Sequence, residues 1–178
     1  MRHDASEIAW HARQLSRYVA KPGEEPVAQL GGKSIVRARI SPIGDGLQVL
    51  VYTADQTDLF ARICGYFDQA GFSILDAKIH TANNGFAMDT FQVVTSLLPE
   101  HYRELITMVE SGLSATIDQK GTLPAPTKGR VSRRVRNFPM APRITLHPDE
   151  KAQSWLLGIS ASDRLGLLYS VATVLAKH

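Results

Sequence analysis

VLVYTADQTDLFARICGYFDQA, Val49 to Ala70, is an apolar run, then a polar turn holding Asp55 and Asp58, then apolar residues four apart at Leu59, Ile63 and Phe67. The run reads as a buried strand and the stripe as one face of a helix. Most of the pattern returns 108 positions later, over Gly158 to His178. Val51 then meets Ile159, Asp55 meets Asp163, Leu59 and Phe60 meet Leu167 and Leu168, Ile63 meets Val171, and Phe67 meets Leu175. A strand, turn and helix cannot bury their apolar faces alone, so each copy needs further strands to complete a layer.

The first copy has them. Phe72 to Thr81 and Phe86 to Thr95 are β-rich runs joined across Ala82-Asn83-Asn84-Gly85, and Asn-Gly is a strong hairpin signal. A second helix is predicted from Pro99, with Tyr102, Leu105, Ile106, Val109 and Leu113 at helical spacing before Gly112 and Gly121 weaken it. Upstream, Ser34 to Ile40 alternates and Pro42 to Gly46 turns the chain back into Leu47. The same hairpin precedes the second copy, where Arg143 to His147 leads through Pro148-Asp149-Glu150 into Trp155 to Ser160, Val36 meeting Ile144 and Ala38 meeting Leu146. The reading is α+β: a ββαββα unit over residues 34 to 120, with Ser34 to Ile40 beside Leu47 to Thr53. A Pro/Arg-rich linker spans 121 to 142, and 143 to 178 form a shorter ββα unit.

With 178 residues and 44% apolar content, the chain can bury a core. The net charge of +3 is too small to argue for nucleic acid, and the basic run Lys128 to Arg136 lacks interleaved aromatics, so it reads as a solvated linker. Cys64 lies on the helical stripe and reads as a small buried apolar residue. No apolar run is long enough to span a bilayer, and Met1 to Asp4 leads into a polar helix, not a signal peptide, so a cytoplasmic protein is expected. That helix, residues 4 to 19, is predicted to have Asp4 and Glu7 as a capping box and Ile8, Ala12, Leu15 and Val19 on its apolar side, with its partner outside the chain. KPGEEP, Lys21 to Pro26, reads as a linker.

Few residues point to catalysis. His3-Asp4 lacks the further ligands a metal site requires, and Gly32-Lys33-Ser34 lacks the upstream glycine of a phosphate loop, since Val27 stands there. The other histidines show no metal spacing. What remains are the turns Asp55 to Asp58 and Asp163 to Gly166. A helix starting just after a strand offers free N–H groups and a positive dipole end to a carboxylate, while the Asp could hold an ammonium, which together fit a free amino acid. Equally, Asp55 and Asp163 could be N-caps that satisfy those same N–H groups.

Asp163-Arg-Leu-Gly-Leu-Leu168 resembles the D-R-x-G-L-L turn of ACT domains, ferredoxin-like regulatory modules that bind amino acids. Tyr52 to Val93, with Glu7-Ile-Ala-Trp-His11 and Arg134-Val-Arg-Asn-Phe138, is similar to the C-terminal region of bacterial PII uridylyltransferases. The resemblance implies a parent with nucleotidyltransferase and HD hydrolase domains that use Mg, followed by two ACT domains. Such an enzyme uridylylates and deuridylylates the PII signalling protein in response to L-glutamine. This chain would carry no catalytic residues. Residues 1 to 33 would follow the HD domain, and the second ACT domain would be truncated.

Carried over residue by residue, the ligand turn is Asp163, Arg164, Gly166 and Leu167 in the second copy and Asp55 and Leu59 in the first. Asp58 replaces the glycine in the first copy, adding a Cβ and a negative charge. The expectation is that the second turn senses glutamine, or that a composite site forms where the units pack. The alternative is an interaction module that binds no metabolite and either dimerises through its sheets or docks PII, with no nucleic-acid or membrane partner.

Overall fold

The computed structural model describes residues 5–18, 31–82, 84–96, 99–127, 141–149, 154–162, 164 and 166–177. Expectations placed on His3, Asp4, Val19, Lys21 to Pro26, Asn83, the basic run Lys128 to Arg136, Glu150, Asp163 and His178 lie outside the described residues. The chain runs α1 (Ala5–Leu15), β1 (Ile35–Ile40), β2 (Leu47–Ala54), α2 (Leu59–Gln69), β3 (Ser73–Lys78) and β4 (Phe86–Val94). A 3₁₀ turn at Pro99–His101 then opens α3 (Tyr102–Gln119), followed by β5 (Arg143–Asp149), β6 (Ser154–Ser160) and α4 (Leu167–Leu175). Four strands form an antiparallel sheet in the order β1-β2-β4-β3, and β5 and β6 form a separate hairpin. This is an α+β architecture compatible with ferredoxin-like folds. β1 lies along β2 with Ile35 opposite Tyr52 and Ile40 opposite Leu47, while β5 pairs with β6, not with β2.

Alternation along β2 and β4 sends Leu47, Val49, Val51, Ala87, Phe91 and Val93 to one face, where Leu59, Ile63 and Phe67 of α2 meet Leu105, Val109, Leu113 and Ile117 of α3. Burying each such side chain contributes about 1.5–3 kcal/mol. Phe67 sits at the centre, its ring edge-on to Phe72 and tilted against Phe91. The predicted weakening of α3 at Gly112 does not occur. A Cβ there would come within 2.7 Å of the Tyr66 hydroxyl, so the glycine allows α2 and α3 to close up, and the helix continues to Gln119. It ends on Lys120 with φ 48°, a left-handed cap one residue before the glycine at 121.

β5 extends past His147 through Pro148, which pairs with Trp155. Proline is tolerated there because β5 is an edge strand. β3, an edge strand of the four-stranded sheet, carries a bulge between Ile74 and Asp76.

The largest departure from expectation is α1, which has its partner within the chain. It covers the opposite face of the sheet, where Trp10 and Leu15 pack with Ile35, Leu50, Tyr52 and Phe86. Among the described residues of the expected stripe only Leu15 is buried, and Ile8 is 55% exposed. The buried face is instead Glu7, Trp10, His11 and Leu15, because the sheet beneath is partly polar. Glu7 pairs with Lys78 at 2.6 Å and accepts from Gln48 at 3.1 Å, and His11 bonds the Thr90 hydroxyl at 3.1 Å. The Arg39 guanidinium lies 4.2 Å over the Trp10 ring.

Candidate functional site

The two stretches that correspond in sequence meet through α2 and α4. Ala61 and Cys64 of α2 are buried against Tyr169 and Ala172 of α4, which stand at the same offset of 108. Equal positions therefore face one another, as in packing about an approximate two-fold axis. Of the stripe that corresponds to Leu59, Ile63 and Phe67, Leu167 and Val171 are half-buried and Leu175 is 53% exposed, while Tyr169 and Ala172 beside it are buried. The signal was present in the small residues Ala61, Cys64 and Gly65, which let a second helix approach α2 closely. Burial pushes the Cys64 thiol up to about 12, with a smaller contribution from Asp89, so it stays protonated and unreactive at neutral pH.

The approach is tightest at Gly65, where a Cβ would lie 2.8 Å from the Tyr169 ring. That ring cannot easily swing aside, because its hydroxyl donates to the Pro124 carbonyl at 2.5 Å. Gly65→Ala is therefore expected to weaken α2–α4 packing by about 1–3 kcal/mol. Amide exchange should speed up in α4 and stay unchanged in β2 and β4. Unchanged exchange in α4 would contradict the contact.

Residues 121 to 127 do not run free as a solvated linker. Gly121 accepts from Arg62 Nη1 at 2.5 Å, Pro124 from Tyr169, and Thr127 donates its N–H to Asp68 at 2.7 Å and its hydroxyl to the same carboxylate. Asp68 is itself buried.

Above this strap lies a cleft of about 500 Å³ between α2 and β3 on one side and β6 and α4 on the other. Its walls include Phe60, Asp68, Asp76, Ile159 and Arg164, and the α4 turn adds Gly166 and Leu167. Three of the predicted second-copy residues are thus together, while Asp163 lies outside the described residues. Arg164 is half-buried and its Nη2 donates to the Ser170 hydroxyl at 3.2 Å, which in turn donates to the Gly166 carbonyl at 2.8 Å. Gly166 has φ 77°, a conformation that favours glycine. A Cβ there would stand 2.7 Å from Asp68 Oδ1 and 3.0 Å from the Thr127 carbonyl, so the close approach it allows is to the strap and α2.

The first-copy residues are not brought together in this cleft. Leu59 is 3% exposed and belongs to the core. Asp55 is exposed, its N–H bonded to the Gly85 carbonyl at 2.9 Å and its carboxylate accepting from Thr81 at 3.4 Å. Asp55 is not the N-cap either. A turn closed by the Leu59 N–H on the Gln56 carbonyl delays the helix, so Asp58 stands at the cap of α2 and Gly166 at that of α4. The Asp58 side chain makes no cap bond and pairs instead with Arg62 one turn on, so the charge that departs from the expected glycine is locally compensated. Sequence reasoning missed Asp68, which holds Thr127 of the strap, and Asp76, which lines the cleft.

Among the described residues, no group of three His, Cys, Asp or Glu is placed to hold a metal ion, and no helix is long and apolar enough to cross a membrane.

No protein-family profile matches the chain, and no solved structure matches it. Curated relatives do. The chain is 50% identical over 182 residues to the bifunctional uridylyltransferase/uridylyl-removing enzyme of Ralstonia nicotianae, with all of this chain and 20% of the relative covered. It is 51% identical over 178 residues to that of Cupriavidus metallidurans and 48% identical over 178 residues to that of Burkholderia thailandensis, with the same coverage. The chain spans about a fifth of the length of these relatives. From end to end it is similar to one part of bifunctional uridylyltransferase/uridylyl-removing enzymes.

Proposed function

We propose that this chain is the glutamine-sensing region of a bifunctional uridylyltransferase/uridylyl-removing enzyme that acts on PII in the cytoplasm. In this reading it is built from ACT-like units and binds L-glutamine in the cleft between them. The cleft carries the proposal, since it joins Arg164 and Leu167 from the expected ligand turn to acidic groups from the other unit. Arg164 suits the α-carboxylate of an amino acid, Asp76 on the exposed edge strand suits its ammonium, and the aromatic and aliphatic walls suit the methylenes. This favours a composite site over two independent turns. Uridylyl transfer and its Mg would belong to parts of the relatives that this chain does not span.

Thermal shift with L-glutamine tests the reading, because a ligand that binds only the folded state raises the melting temperature. Arg164→Ala should weaken glutamine binding by about tenfold or more in calorimetry, the loss of roughly one charge-assisted hydrogen-bonded contact. Asp55→Ala should leave it unchanged. No shift at millimolar glutamine, or equal losses from the two variants, would count against the cleft. The interaction-module reading is favoured by one observation, the exposed apolar residues of β5 and β6.

A further inference from the structure

Four arginines line the seam where α1 runs along β1. Arg13 and Arg17 stand one turn apart on α1, three and seven residues after Trp10, so all three share one flank of the helix. That flank meets β1, since the Arg39 guanidinium lies 4.2 Å over the Trp10 ring. Arg37 and Arg39 alternate with the core residues Val36 and Ala38 and therefore turn to the α1 side of the sheet, where Arg37 Nη2 donates to the Tyr18 hydroxyl at 3.4 Å. With Trp10 at Arg39 and Tyr18 at Arg37, α1 runs antiparallel to β1, which brings the two arginine rows side by side.

Among the described residues no acid pairs with these four charges. Glu7, whose charge reaches Arg39, is held by Lys78 and Gln48. Arg13 and Arg17 are exposed and make no ion pair, and the buried Nη2 of Arg39 has no acceptor. Burial lowers the Arg39 guanidinium below its ordinary value, and although Glu7 opposes this, the charge of Arg13 lowers it further. Like charges held this close oppose folding until an anion joins them, so their placement points to a negatively charged partner.

We propose that the α1–β1 seam is the docking site of an extended acidic segment of a partner protein. Arginine, unlike lysine, grips a carboxylate with two parallel N–H groups. Arg37 and Arg39 are spaced by about 7 Å along β1 and Arg13 and Arg17 by about 6 Å along α1, and carboxylates at alternate positions of an extended segment recur at about 7 Å. The segment does not join the sheet, because Glu110 and Asp118 of α3 already accept the Ala38 and Ser34 N–H groups at the outer edge of β1, each at 2.8 Å. Nucleic acid carries charge at similar spacing but stacks its bases on free aromatic faces. The seam offers none, since Trp10 is buried beneath Arg39 and Tyr18 packs into the same apolar cluster.

Fluorescence anisotropy of a labelled peptide of roughly eight residues, glutamate alternating with threonine, tests this on the intact 178-residue protein. Saturable binding with one peptide per chain is expected at about 0.05 M salt, weakening about tenfold by about 0.5 M. Arg13→Ala and Arg17→Ala should each weaken it about two- to fivefold, and Arg13→Glu combined with Arg17→Glu should remove it. Both side chains are exposed, so the far-ultraviolet signal should stay as it is. Arg103→Glu, on the exposed surface of α3, should leave binding unchanged, as should Arg133→Ala, Arg134→Ala and Arg136→Ala together. The proposal is overturned if no saturable binding appears at low salt, or if the triple change removes the binding. It is overturned equally if oligothymidylate of the same charge binds as tightly, which would make the seam a general anion surface.

Discussion

Gly46→Ala is expected to destabilise the four-stranded sheet by roughly 3–5 kcal/mol, enough to leave much of the chain unfolded at ordinary temperature. Gly46 ends the turn before β2 with φ 97°, and a Cβ there would stand 2.1 Å from the Val93 carbonyl oxygen and 2.8 Å from Val94 Cγ1. The first contact is with backbone, and Leu47 next to Gly46 is already paired with Val93 in the β2–β4 ladder, so neither strand can retreat without breaking register. The turn is tied on both sides as well. The Gly46 carbonyl accepts the Ser41 N–H at 2.9 Å, and its own N–H reaches the Tyr102 hydroxyl at 3.3 Å. Gly44, two residues earlier, is the control, since its φ is 85° but nothing lies within 4 Å of a built Cβ. Gly44→Ala should cost only the left-handed penalty of about 1–2 kcal/mol. Urea unfolding followed by circular dichroism compares the two, and similar midpoints would mean that the Val93 contact relaxes easily.

The order of strands and helices through Gln119 was legible because each element carries its own period. Val49, Val51 and Phe91 alternate, Leu59, Ile63 and Phe67 recur every fourth residue, and Gly46 and Gly85 mark turns by their backbone conformation. The pairing of β1 with β2 followed from the short turn at Pro42 to Gly46, which leaves the chain little choice but to fold back. Local sequence does not encode which face of an element meets which neighbour when that neighbour is distant in the chain. Glu7, Trp10 and His11 look like a polar side until the polar half of the sheet, with Gln48, Lys78 and Thr90, is placed beneath them.

The candidate site was hidden for the same reason. The turn Arg164 to Leu167 was visible as a motif, but its companions Asp68 and Asp76 sit about ninety residues away and carry no motif of their own. Gly166 illustrates the limit. The need for glycine was apparent from the pattern, yet what approaches it is Asp68 and the Thr127 carbonyl, atoms that only the packing of α4 on α2 brings there. The repeat misled at one point, because α2 buries Leu59, Ile63 and Phe67 on its own sheet while α4 turns the adjacent face toward α2.

The protein should lose stability as pH rises through about 6, and Asp89 should account for about 1.4 kcal/mol of the loss between roughly pH 5 and 7.5. Asp89 stands opposite Val51, so its carboxyl points into the helix-covered face of the sheet, where it is 1% exposed. Burial raises it from 3.8 to about 6. The His80 N–H, which donates to Oδ1 at 3.2 Å, opposes the shift, and the charge of Asp55 adds to it. The sign follows from which state holds the proton more tightly. Because the folded value lies above the unfolded one, the folded state binds more protons between them. The contribution is therefore fully present below about pH 4 and gone once pH has passed through 6. Asp89→Asn keeps an acceptor for His80 but cannot ionise, so its unfolding free energy should change less with pH than that of the parent. The difference between the two slopes isolates Asp89 from every other titrating group. Urea unfolding at several pH values from about 4.5 to 8 measures it, and parallel curves would show that the Asp89 carboxyl is solvated in the folded chain.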